Sequence, residues 1–132
     1  MDQKEEEKLV MSIFRKNYPF FPKGRLMPSE SPDFILKTGR HKTIGFELTR
    51  IADPSADLIS EIRKALIKKV EKHVLYQKKV LNEIWLLLFT DDVQDSFSIS
   101  DPIIIELKER NPFQKVFLLD LFSGGYYPVL VS

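Results

Sequence analysis

Six consecutive apolar residues, Ile84-Trp85-Leu86-Leu87-Leu88-Phe89, constrain this chain more than any other stretch. The run is far shorter than the ~20 residues that a membrane-spanning helix requires. As the middle of a strand from Asn82 to Thr90 it lacks polar alternation, so both of its faces must be covered. A strand buried on both faces belongs at the centre of a sheet flanked by helices, which predicts an α/β fold. Lys115 to Phe122 has the same character through Val116-Phe117-Leu118-Leu119. Tyr126 to Val131 reads as a last strand after the Ser123-Gly124-Gly125 turn, and Pro128 suits it to a sheet edge. At 132 residues, the chain is expected to form one domain over 1–132.

Helical spacing supplies the covering layers. Residues 3–17 predict an amphipathic helix with Leu9, Val10, Ile13 and Phe14 as its apolar stripe. Glu6 lies three, four and seven residues before Leu9, Val10 and Ile13, on the same stripe. It is either part of an acidic first turn that suits the helix dipole or an inward-pointing carboxylate. Residues 55–77 predict a second helix, with Asp53 or Ser55 as its cap. Leu58, Ile59, Ile62, Leu66, Val70, His73 and Gln77 track one side of it. Lys64, Lys68, Lys72 and Lys79 follow another side, as a solvated face or as a row that could track phosphates. Lys69 leans toward the apolar stripe, where an ammonium either snorkels out or reaches a buried acid. A third helix is expected from Ser98 to near Asn111, with Pro102 in its first turn and Pro112 at its end.

Between the first two helices lies a loop with Pro19, Pro22, Pro28 and Gly24, in which Arg25-Leu26-Met27 form a short strand. Ser31-Pro32-Asp33-Phe34-Ile35-Leu36 and Ile44-Gly45-Phe46-Glu47-Leu48-Thr49 then read as the two strands of a hairpin. Pairing Leu36 with Ile44 sets Phe34 opposite Phe46 and Asp33 opposite Glu47. Phe34, Leu36, Phe46 and Leu48 then share one face, and Asp33, Glu47 and Thr49 share the other. Opposed side chains lie about 5 Å apart at Cβ, so the two carboxylates repel unless a positive charge intervenes. A divalent cation with oxygen ligands is the usual solution.

Pro32-Asp33 on one strand, followed by Glu47-Leu48-Thr49 on the next, resembles the motif of the PD-(D/E)XK nuclease superfamily. Thr49 stands where that family carries lysine. The element order of residues 3–90 is similar to the family's α-β-β-β-α-β core. The resemblance therefore implies a restriction-endonuclease-like mixed sheet, here with a C-terminal α-β-β addition. It implies Mg²⁺ or Mn²⁺ held by Asp33, Glu47 and the Leu48 carbonyl, and hydrolysis of phosphodiesters in nucleic acid, DNA foremost. Glu6 fits the glutamate that members often carry on the first helix. Lys69, with Lys68 and Lys72 as fallbacks, is the candidate for the absent lysine, and Thr49 could still bond a water or a phosphate. Lys37, Arg40 and Lys42 on the hairpin loop, Arg50, and the helix lysines Lys64, Lys68 and Lys72 would hold the nucleic-acid backbone. The alternative is an inactive domain of the same fold that binds nucleic acid or protein. A fully structural reading also stands, with Asp33 capping a turn and Glu47 paired to a lysine such as Lys69. The family's small domains commonly dimerise, which makes a homodimer a candidate assembly.

Composition narrows the remaining classes. There is no cysteine, so disulfides, thiolate zinc sites and cysteine nucleophiles are excluded. With only two histidines, His41 and His73, the numbers alone argue against a histidine metal centre. No phosphate-binding glycine loop and no Gly-x-Ser-x-Gly elbow is present. The acidic, polar start does not read as a signal peptide, so a cytoplasmic protein away from membranes is expected. The net charge of +1 provides no global attraction to nucleic acid, and any such binding must use a local patch.

Overall fold

The strand around the apolar run, Glu83–Thr90, lies inside a six-stranded mixed sheet with its side chains buried on both faces. The structure is a computed structural model that describes residues 2–39, 41–51, 58–72, 81–91, 93 and 112–131. Its elements in chain order are α1 (Gln3–Asn17), β1 (Arg25–Pro28), β2 (Phe34–Lys37), β3 (Thr43–Arg50), α2 (Leu58–Glu71), β4 (Glu83–Thr90), β5 (Lys115–Asp120) and β6 (Tyr126–Val131). The strands lie side by side in sequence order. β3, β4 and β5 are parallel, and the outer pairs β1/β2, β2/β3 and β5/β6 are antiparallel. The fold is α/β, as the buried run predicts. The helix expected over 98–111, the caps Asp53 and Ser55, and residues 73–77 of the second helix lie outside the described residues.

Each face of the sheet has its own core. On one, Val10, Met11 and Phe14 of α1 pack with Phe34, Leu36, Phe46, Leu48, Trp85, Leu87 and Phe117. On the other, Ile62 and Leu66 of α2 pack with Leu86, Leu88, Val116 and Leu118. Alternate residues of β4 thus feed alternate cores, which is why the run has no polar positions. Burying one such side chain contributes ~1.5–3 kcal/mol. Proline marks both sheet edges, Pro28 on β1 and Pro128 on β6, and β6 carries a register shift between Val116 and Phe117 of its partner.

The buried stripe of α1 differs from the expected one. Met11 is buried and Leu9 is 44% exposed. The stripe runs through Val10, Met11, Phe14 and the following Tyr18, one residue round the helix from the predicted line. The aromatic rings cause the rotation. Phe14 stacks on Tyr18 at 5.1 Å and reaches Phe117 at 5.1 Å, so the helix turns to seat them.

The hairpin register is the expected one: Phe34 opposite Phe46, Ile35 opposite Gly45, and Leu36 opposite Ile44. Gly45 is required by a close approach. A Cβ there would lie 2.7 Å from Cγ of Pro32 and 3.0 Å from Cδ1 of Leu81. Gly45→Ala is therefore expected to destabilise the fold by about 1–3 kcal/mol, because the Pro32 ring cannot swing aside. Urea denaturation measures this, and an unchanged midpoint would show that the Pro32 loop yields freely.

Candidate functional site

The hairpin register carries Asp33, one residue before β2, to the Glu47 position of β3. Asp33 is fixed there by the backbone, since its Oδ2 accepts the Leu48 N–H at 2.8 Å. Its own carbonyl accepts the Ser29 N–H at 2.8 Å, which closes the loop behind it. Glu47 is buried and points to the α2 side of the sheet, the parity opposite to Phe46 and Leu48. There it meets Lys69, whose Nζ lies 3.4 Å from Oε1. The lysine side chain is 12% exposed and the glutamate 8%, so the pair is largely withdrawn from water. Of the two outcomes open to Lys69, snorkelling out or reaching a buried acid, the structure has the second.

Asp33 also interacts with the carboxyl of Glu47 and with that of Glu7. Burial pushes the Asp33 carboxyl above its ordinary range. Hydrogen bonding with Glu47 and the Leu48 N–H holds it partly down, and the charge of Glu7 raises it again. The three acids line up through Asp33, with Glu7 arriving from the α1 layer and Glu47 facing the α2 layer. Among the described residues, no three or more histidine, aspartate or glutamate side chains are grouped so that they could hold a metal ion. What the arrangement offers is hard oxygen donors, whose negative charge is costly in this setting without a cation.

Glu7, not Glu6, is the α1 acid at Asp33. It stands three, four and seven residues before Val10, Met11 and Phe14, so the rotation that buries Met11 also turns Glu7 inward. Counting Met11 and Tyr18 in the stripe would have revealed this. Glu6 goes instead to Arg50, whose Nη2 donates to Oε2 at 2.7 Å. Arg50 also donates from Nη1 to Asp91 at 3.0 Å and lies 5.0 Å from the centre of the Phe89 ring. Its guanidinium is held more firmly protonated than usual, first by Glu6 and then, against some loss from burial, by Asp91. Arg50 is thus engaged with two carboxylates.

A cleft of about 530 Å³ opens beyond the C-terminal end of β3, the side of a parallel sheet where ligands commonly bind. Leu48, Thr49 and Arg50 form its floor, Glu6 and Glu7 one wall, and Lys68, Lys69 and Lys72 the other. Thr49, on the Glu47 face, therefore lies beside Lys69. A second cleft of similar volume adjoins it at Glu7 and is lined by Asp33, Ser29, Glu30, Ser31 and Lys4. The other candidate cations are elsewhere. Lys64 pairs with Glu61 at 3.2 Å and does not line the cleft. Lys37 and Lys42 sit at the closed end of the hairpin, about 13 Å along the strand from Asp33 and about 17 Å from Glu47 respectively. Lys42 is paired with Glu83. Arg40 and Lys79 lie outside the described residues.

The raised Asp33 carboxyl has a consequence for stability. Its native pKa exceeds its unfolded value, so the charged form opposes folding. The penalty is absent below about pH 4, grows as pH rises toward the native value and is constant above it. Asp33→Asn keeps an acceptor for the Leu48 N–H and removes the charge. The variant is expected to melt higher than the wild type at pH 7, with a smaller difference at pH 3.5. Thermal scans of both proteins across that range decide it, and a gap independent of pH would show that Asp33 carries no such penalty.

No protein-family model matches the chain, and neither the curated proteins nor the solved structures contain a significant match to it.

Proposed function

We propose that the chain is a divalent-metal-dependent nuclease that hydrolyses nucleic-acid phosphodiesters, with a restriction-endonuclease-like domain. The observation that carries the reading is the Asp33–Glu47 pair, whose Glu47 meets Lys69 at 3.4 Å, while Lys69 lines one cleft with Lys68 and Lys72 and Asp33 lines the adjoining one. Support also comes from the order α1-β1-β2-β3-α2-β4, which agrees with the α-β-β-β-α-β core of the nucleases that the motif resembles.

The donor set suits Mg²⁺ or Mn²⁺, with Asp33, Glu47 and the Leu48 carbonyl as the residues that would hold it. Such an ion would polarise the scissile phosphate and make a bound water acidic enough to attack near neutral pH. The remaining work falls to the chain. Lys69, freed from part of its attraction to Glu47, would face the charge that develops on the phosphate. Thr49 would offer a hydroxyl to a water or a phosphate oxygen on the same face. Lys68 and Lys72 would hold flanking phosphates. Glu7 would orient a water or add an oxygen donor, the part expected of Glu6.

A second reading has an observation of its own. The Lys69–Glu47 pair already gives Glu47 a cation, as the fully structural reading of these residues expects, and this leaves room for an inactive domain that binds nucleic acid or protein. Calorimetric titration of Mn²⁺ separates the two. The nuclease reading expects binding by the wild type, loss of binding in a folded Asp33→Ala/Glu47→Ala variant, and Mg²⁺-dependent cutting of labelled DNA or RNA that chelator stops. No binding at millimolar Mn²⁺, with or without nucleic acid, would leave a binding or structural domain as the reading that stands.

A further inference from the structure

The closed end of the hairpin collects positive charge that the acidic site does not use. Between Glu7 and Glu30 there is no acidic residue, whereas Lys8, Arg15, Lys16, Lys23 and Arg25 all lie there. Between Asp33 and Glu47 there is again no acid, and Lys37, Arg40 and Lys42 lie there. The fold brings parts of these two stretches together. Arg25 on β1 is directly opposite Lys37 on β2, and both are exposed. Like charges directly opposed across a ladder destabilise it. Neither forms an ion pair among the described residues.

The surface extends from that pair onto α1. Gly24 packs against the Lys37 backbone so closely that a Cβ would meet the Lys37 carbonyl oxygen at 2.5 Å. The carbonyl of Gly24 accepts Nη2 of Arg15 at 3.4 Å. The Arg15 guanidinium lies 5.5 Å from the centre of the Phe21 ring. Next to Phe21, Phe20 is 75% exposed and touches Tyr18 edge-on at 5.9 Å. Arg25 and Lys37, without an ion pair among the described residues, and Arg15, over the ring next in sequence to the exposed Phe20, match the two requirements of single-stranded nucleic acid, phosphate neutralisation and a face on which a base can stack.

We propose that Arg15, Phe20, Arg25 and Lys37 form a binding surface for single-stranded nucleic acid, separate from the acidic cleft. Arg25 and Lys37 take adjacent phosphates, Arg15 a third, and Phe20 stacks a base. An acidic peptide fits less well. The free edge of β1 is four residues long and ends in Pro28, so it offers little ladder for an added strand, and a peptide gives Phe20 no base. The proposal needs no metal and does not depend on the hydrolytic reading.

Fluorescence anisotropy of a labelled dT20 strand, with chelator present, tests it. Wild-type protein is expected to bind, and Arg25→Glu/Lys37→Glu to bind at least thirtyfold more weakly, with a salt slope reduced by about 1.4 for two lost single-strand phosphate contacts. Phe20→Ala is expected to weaken binding roughly tenfold with an unchanged salt slope, as loss of one stacked base would. Circular dichroism checks that each variant is folded. Equal binding by the folded charge-reversed variant overturns the proposal. So does a wild type that ignores dT20, whatever it does with an acidic peptide. Neither outcome touches the metal titration at Asp33 and Glu47.

Discussion

Asp33→Asn/Glu47→Gln is expected to lower the proposed metal-dependent hydrolysis by about a thousandfold or more while the protein stays folded. The size follows from what the two carboxylates supply: without them an ion has only the Leu48 carbonyl and Glu7 to hold it, and the charge stabilisation it would deliver is lost. The fold should survive at reduced stability: both replacements are close in shape to the originals, although Glu47→Gln leaves the Lys69 ammonium without its carboxylate. Asn keeps an acceptor for the Leu48 N–H, which lies 2.8 Å from Oδ2 of Asp33. Removing the Asp33 charge also relieves a carboxyl that burial pushes upward. Initial rates on a labelled strand at saturating Mn²⁺, beside a urea melt of the same preparations, are the measurement. A folded variant that still cuts at the wild-type rate would place any activity outside the acidic pair. A variant that fails to fold would instead make the pair structural, and the single substitutions would then show which acid carries the load.

The parts of this arrangement that depend on local pattern are open to inspection in the sequence. Alternation along Phe34-Ile35-Leu36 and Ile44-Gly45-Phe46 permits only registers that keep the phenylalanines on one face, and the structure has the expected one. The unbroken run in β4 requires cover on both faces, and it is covered on both. Helical angle alone is enough to turn Lys69 toward the Glu47 face. Small rotations and connectivity are harder. One residue of rotation in α1 exchanges Glu6 for Glu7, because a stripe drawn through Leu9 misses the one that runs through Met11. Assigning the loop cations to the acids overlooks that a hairpin places its loop at the end opposite its open strands. Partners on elements that share no pattern are not legible. Arg50 meets Glu6 and Asp91 across 44 and 41 residues of sequence, and no local spacing encodes either contact.

Lys69→Ala should have the largest effect on stability of any single substitution around the cleft, a loss of about 3 kcal/mol. A salt bridge this withdrawn contributes little beyond its own desolvation cost, but removing one member strands the other. Glu47 would be left buried beside Asp33, with Glu7 on the far side of it. One further variant and a metal titration show whether that is the cause. Lys69→Met/Glu47→Gln, which removes both charges, is expected to recover most of the loss, and the double-mutant cycle should report strong coupling. Millimolar Mn²⁺ should raise the urea midpoint of Lys69→Ala more than that of the wild type, because the ion takes over the compensation of Glu47. If the lysine also faces the reacting phosphate, Lys69→Ala lowers turnover by about a hundredfold or more at saturating metal. Thr49→Lys in that background then becomes the decisive variant. Thr49 lies on the Glu47 face and on the floor of the same cleft as Lys69, so an ammonium introduced there reaches the same space from the strand instead of the helix. Recovery of at least tenfold in turnover would mean that the cation's position in the cleft matters and its place in the sequence does not. Recovery of stability without turnover would confine Lys69 to neutralising Glu47.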